Sequence, residues 1–137
     1  MKELRIEALV SCLGTIQEFV REDMIQAGLN AKSRMQVEVA VEELFVNIAS
    51  YAYSPNQGEA VIRCDVEDLD GVAALRIELL DQGKPFDPWK KEDADVTLPA
   101  EERKIGGLGI LMVKKTMDRV DYAYKDGWNV TTIWKKA

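Results

Sequence analysis

The run from Glu59 to Asp81 constrains the fold more than any other part of the chain. Between Glu59 and Glu67, Ala60, Ile62, Cys64 and Val66 alternate with Val61, Arg63, Asp65 and Glu67, the period of a half-buried strand. "DLDG" then supplies a turn, and from Val72 to Asp81 the residues Leu75, Ile77 and Leu79 share one face. Two such runs joined through Asp-Gly predict an antiparallel hairpin. A second hairpin is expected near the end, Val120 to Lys125 and Trp128 to Lys135 around "KDGW". Residues 2–8 alternate enough for a short first strand.

Helical periods fill the rest. Residues 9–28 carry Leu13, Ile16, Phe19 and Val20 on one side, and "AGLN" ends the run. From about Lys32 to Tyr53, Val37, Val41, Leu44 and Ile48 keep a 4-3-4 spacing, closed by "SPNQG". In "KIGGLGILMVKK", Ile110, Val113 and, just beyond, Met117 form a third stripe. The order is strand, helix, helix, two strands, long loop, helix, two strands. Hairpin-joined strands predict an α+β fold, a two-layer sandwich with a mixed, mainly antiparallel sheet and helices on one face. At 137 residues, a single domain over 1–137 is expected.

Composition removes several functions. A net charge of -6 opposes a dedicated nucleic-acid binder, which must neutralise phosphates. The chain contains no histidine, which excludes a Ser-His-Asp triad, a histidine phosphoacceptor and a His-ligated metal within it. Cys12 and Cys64 lack metal-ligand spacing and read as packed thiols, with a disulfide as the alternative. No apolar run reaches the roughly 18–20 residues needed to cross a bilayer, so a cytoplasmic protein without membrane contact is expected.

Three constellations could carry chemistry. Glu43 and Asn47, in "EELFVN", stand one helical turn apart. A carboxylate there could take a proton while an amide oxygen joins the shell of Mg2+, a cation that leans on substrate phosphates; the alternative is a solvated polar stripe. Glu42 points about 100° away and reads as a surface charge. In "LLDQGKPFDP", Asp81 ends an apolar row and Gly83 follows two residues later. A carboxylate among apolar walls needs donors, and an adenine amino group is suitable; a strand-ending turn is the plainer reading. Phe86 either covers a ring or plugs the core. Third, Gly106, Gly107 and Gly109 mark a helix entrance, where glycine costs roughly 0.5–1 kcal/mol against alanine but lets an anion approach the unpaired N–H groups. Neither a Walker A loop nor a Rossmann fingerprint fits the spacing.

The three motifs in this order, ExxxN, DxGxPFD and "IGGLGILMVKKTMD", resemble the GHKL ATPase superfamily with its Bergerat nucleotide-binding fold, and within it the small anti-sigma-factor serine/threonine kinases. The likeness covers about residues 5–135. It implies ATP and Mg2+ as cofactors, with Glu43 as catalytic base, Asn47 as magnesium ligand, Asp81 as the adenine acceptor and Gly83 letting the ring approach the backbone. Gly107 and Gly109 match the phosphate-binding glycines, with Ile105, Gly106 and Leu108 completing that box. An ATP lid is implied at about 88–105, where Arg103 or Lys104 would meet the γ-phosphate. The implied partners are a STAS-type anti-sigma-factor antagonist, phosphorylated on serine, and a sigma factor; a homodimer through residues 2–28 is also implied. Many relatives carry a histidine four residues after the asparagine, and Tyr51 stands there instead. A non-catalytic, nucleotide-gated binding module of the same fold is the alternative.

Overall fold

The computed structural model describes residues 1–90 and 107–137. Strand β1 (Lys2–Glu7) leads through a 3-10 turn (Val10–Cys12) into helix α1 (Leu13–Gln26), followed by α2 (Ala31–Asn47). Strands β2 (Glu59–Leu69) and β3 (Val72–Asp81), helix α3 (Gly107–Thr116) and strands β4 (Arg119–Lys125) and β5 (Trp128–Lys136) complete the described elements. The strands lie in the order β1-β2-β3-β5-β4. Every pairing among them is antiparallel, the limiting case of the mainly antiparallel sheet expected.

Both Asp-Gly turns form as read. Asp70 and Gly71 have φ of 56° and 84°, Asp126 and Gly127 of 53° and 84°, the left-handed pair of a tight hairpin whose twist suits the flanking strands. The second hairpin joins the first through β5, whose register with β3 sets Asp81 opposite Asn129. Between α1 and α2, the Leu29 N–H bonds the Met24 carbonyl across Gly28, with φ of 80° at that glycine, and Asn30 accepts from the Ser33 N–H at 2.8 Å. One helix is thus stopped and the next capped within a few residues.

The helices cover one face of the sheet. Ile16, Val20 and Met24 of α1, Val37, Val41, Leu44 and Phe45 of α2, and Ile110 and Val113 of α3 pack in one cluster with Ile62, Cys64, Leu75, Ile77, Leu79 and Ile133. The other face is closed by its own long side chains. Trp134 donates to Glu67 at 2.7 Å, Arg76 lies within 3.5 Å of Glu67 and 3.1 Å of Glu78, and Arg119 stands over the Trp134 ring at 4.8 Å. Cys12 and Cys64 are both free thiols; burial pushes the Cys64 thiol up, and Asp23 beside it adds to the effect. No described helix is long and apolar enough to cross a membrane.

Two boundaries differ from the sequence reading. The expected helix 9–28 opens as the 3-10 turn, and the expected helix 32–53 changes after Asn47 into a π-helical turn, Ile48–Ala52. Apolar spacing continues through both changes, so periodicity alone does not mark them. π turns frequently sit at functional sites, and this one borders the cleft described next.

Candidate functional site

A cleft of ≈ 480 Å³ opens between the end of α2 and the end of β3. Leu44, Ile48, Pro85 and Phe86 give it apolar walls, and Asn47, Tyr51, Asp81, Lys84, Asn129 and Thr131 bring polar groups to it. The size and balance are those of a small-molecule site. Asp81 reaches it because the β3 alternation runs to the last residue, leaving a carboxylate only 5% exposed. Its Oδ1 accepts from the Gly83 N–H and from Asn129 Nδ2, each at 2.9 Å. Burial nevertheless holds Asp81 above the ordinary carboxylate range, with those two donors pulling the other way.

Glu43 does not line this cleft. It packs one turn earlier, against α3, where a β-carbon on Gly109 would overlap its carboxylate. Burial, and then the neighbouring Glu42 carboxylate, raise the Glu43 pKa. The structure therefore joins the first constellation to the third through Glu43 and Gly109, and the first to the second through Asn47 and Asp81.

The histidine kinase-like ATPase domain matches residues 6–135. The chain belongs to that family. Serine-protein kinase RsbW of Listeria monocytogenes serovar 1/2a is 30% identical over 109 residues, covering 77% of this chain and 68% of the relative. Serine/threonine-protein kinase BtrW of Bordetella bronchiseptica is 25% identical over 104 residues, covering 76% and 71%. The crystal structure of the RsbU and RsbW domains of Rv1364c from Mycobacterium tuberculosis matches 99% of this chain with a TM-score of 0.63 at 15% identity, a likeness of fold. The chain spans 32% of that longer one.

Within this ATPase fold the remaining candidates divide. Gly107 and Leu108 open α3, immediately ahead of the contact between Gly109 and Glu43. Ile105, Gly106, Arg103, Lys104 and the expected lid after Lys90 lie outside the described residues; its start, Pro88–Lys90, is a 3-10 turn. For Gly83, the close approach is to the protein itself. A β-carbon there would overlap the Ala52 carbonyl, and the adjacent Lys84 N–H donates to that same oxygen at 3.1 Å. Phe86 is 50% exposed on the cleft wall, which removes the core-plug reading. Tyr51 is also exposed and lines the cleft. Glu42 is exposed, as expected of a surface charge.

Asn129, Thr131 and Tyr122 were not legible as site residues. Asn129 and Thr131 line the cleft, and the Tyr122 hydroxyl donates to Asn129 Oδ1. They arrive by strand register, from 41 to 50 positions beyond Asp81, Asn129 and Thr131 on β5 and Tyr122 on β4, and the available signal was a polar residue on the covered face of β5.

The donor set suits ATP. Both hydrogen bonds to Asp81 go to Oδ1, and Oδ2 accepts from none of the described residues, which leaves an acceptor for a ligand in the cleft that Asp81 lines. Among the described residues no three His, Cys, Asp or Glu side chains cluster for a metal. Asn47 lines the cleft, where its amide oxygen would suit a cation held mainly by phosphates, as Mg2+ usually is.

Proposed function

We propose that this protein is an ATP-dependent serine/threonine protein kinase of the anti-sigma-factor type. Its substrate would be a serine of a STAS-type anti-sigma-factor antagonist, and a sigma factor would be its competing partner in the cytoplasm. The observation that carries the reading is Asp81, a buried carboxylate with one oxygen unpaired among the described residues, on the wall of a slot it shares with Asn47.

In this reading Asp81 accepts a hydrogen bond from the adenine amino group, while Leu44, Ile48, Pro85 and Phe86 exclude water from the ring. Asn47 offers its amide oxygen to Mg2+. The first turn of α3, opened by Gly107, Leu108 and Gly109, presents unpaired N–H groups to phosphate oxygens, with Ile105 and Gly106 preceding it. ATP supplies the γ-phosphoryl group. Glu43 takes the proton of the substrate serine, and its raised pKa brings it closer to operating pH, as a general base requires. Phosphoryl transfer is mostly positioning and charge stabilisation, so few residues suffice. A homodimer through β1 and α1 completes the proposal; β1 is an edge strand with Glu3, Arg5 and Glu7 exposed. Sedimentation velocity tests it.

Calorimetric titration with a non-hydrolysable ATP analogue, with and without Mg2+, tests the site. Labelled ATP with a purified STAS-domain protein from the same genome tests transfer. Magnesium-dependent binding with label on serine supports the kinase. Binding without transfer to any STAS protein supports a nucleotide-gated binding module, and absence of binding overturns the nucleotide reading.

A further inference from the structure

Asn129 stands opposite Asp81 in the β3–β5 register and is 3% exposed. Its amide is fully engaged. Nδ2 donates to Asp81 Oδ1 at 2.9 Å and to the carbonyls of Lys84 and Gly83 at 3.0 and 3.3 Å. Oδ1 accepts from the Phe86 N–H at 3.1 Å and from the Tyr122 hydroxyl. An amide with both donors and both acceptor directions in use has little left for a ligand. Its influence passes through Asp81.

That influence has two parts. Asn129 and the Gly83 N–H both hold Oδ1, so Oδ2 is the oxygen left for the cleft. Donors also favour the ionised carboxylate against the cost of burial, and an ionised carboxylate is acceptor-only. An acceptor-only oxygen pairs with a purine 6-amino group. It meets a 6-oxo group lone pair to lone pair.

We propose that Asn129, held in place by Tyr122, is a specificity-determining positioning residue, which fixes Asp81 as an acceptor so that the cleft takes 6-amino purine nucleotides and rejects 6-oxo ones. This rests on the reading of the cleft as a nucleotide site. Asn129→Asp keeps the shape but replaces the donor to Oδ1 with a second carboxylate, which raises the Asp81 pKa further; Asp81 protonated on Oδ2 then offers a donor to a 6-oxo base.

The test is equilibrium binding of three ligands, ATP, purine riboside triphosphate without the 6-amino group, and ITP with a 6-oxo group. The wild-type protein should bind ATP at least about ten-fold more tightly than either analogue, the size of a lost hydrogen bond to a charged group. Asn129→Ala should bring the ATP preference to near parity, and Asn129→Asp should raise ITP affinity relative to ATP. Tyr122→Phe, which keeps the ring, should reduce the ATP preference in part and carries the test if the Asn129 variants fail to fold. A residue that merely supports the fold would weaken all three ligands alike, so unchanged ratios in folded variants overturn the proposal. A wild-type protein that binds ATP without preferring it over the analogues overturns it while leaving the nucleotide reading intact. A wild-type protein that binds none of the three overturns both.

Discussion

Gly109 and Glu43 claim the same space: a β-carbon on the glycine would overlap the carboxylate. The last glycine of the α3 entrance is therefore the surface against which the proposed base rests. Its lack of a side chain matters first to Glu43, whatever it also offers to a phosphate.

Gly109→Ala follows directly. The obstacle is the far end of a flexible side chain, which can swing away, and alanine favours the helix by up to about 1 kcal/mol. Stability should change by less than about 1 kcal/mol. Phosphoryl transfer should fall about 10²- to 10⁴-fold, the usual worth of a general base. Glu43→Ala should show the same loss with ATP binding retained. Single-turnover transfer alongside denaturant unfolding checks both, and wild-type transfer in either variant would remove Glu43 from the base role.

Gly83→Ala should behave in the opposite way. Here the obstacle is the Ala52 carbonyl, held by the π-helical turn and by the Lys84 N–H, and backbone cannot rotate aside. A cost of about 1–3 kcal/mol is expected from such overpacking. Urea unfolding should show a lower midpoint at unchanged slope; an unchanged midpoint would mean the turn can yield.

Asp81→Asn turns a carboxylate oxygen into an amide on the cleft wall. ATP affinity should drop about ten- to hundred-fold, the range for a hydrogen bond to a charged group. Titration calorimetry measures it. Equal affinities would place the base elsewhere.

Stability against pH gives an independent check on Asp81. Burial raises its folded pKa, so between the unfolded and the folded pKa the native protein holds a proton that the unfolded chain has released. Linkage then makes its contribution fall as pH rises from the ordinary value of about 3.9 through the raised one. Below that window the contribution is complete. The difference in unfolding free energy between the wild-type protein and Asp81→Asn should thus decline above about pH 4 and level off beyond the folded pKa. Glu43 shifts in the same direction but is common to both proteins and cancels. A difference that rises with pH would contradict the burial of Asp81.

Much of the fold is local in origin and was legible for that reason. Alternation at Ala60–Val66 and Leu75–Leu79, Asp-Gly at both hairpins, and Gly28 with Asn30 between helices each act within a few residues. The apolar stripe Ile110, Val113, Met117 is buried as its spacing requires. The π-helical turn after Asn47 was not legible, because apolar residues continue through it. Glu43, Asn47 and Asp81 could be singled out, but spacing did not reveal that Asn47 and Asp81 share a cleft while Glu43 faces α3.

What the sequence by itself determined is the set of elements, their turns and the side of each that is apolar, since those depend on periods of two and 3.6 residues and on short-range φ preferences. Only the tertiary structure decided the neighbours of each functional side chain. Asn129 reaches Asp81, and Tyr122 reaches Asn129, because β5 inserts between β3 and β4 in a fixed register. Gly83 and Gly109 are glycines because of what lies across from them, the Ala52 carbonyl and the Glu43 carboxylate. Close packing imposes such constraints between residues tens of positions apart, and no window along the chain contains them.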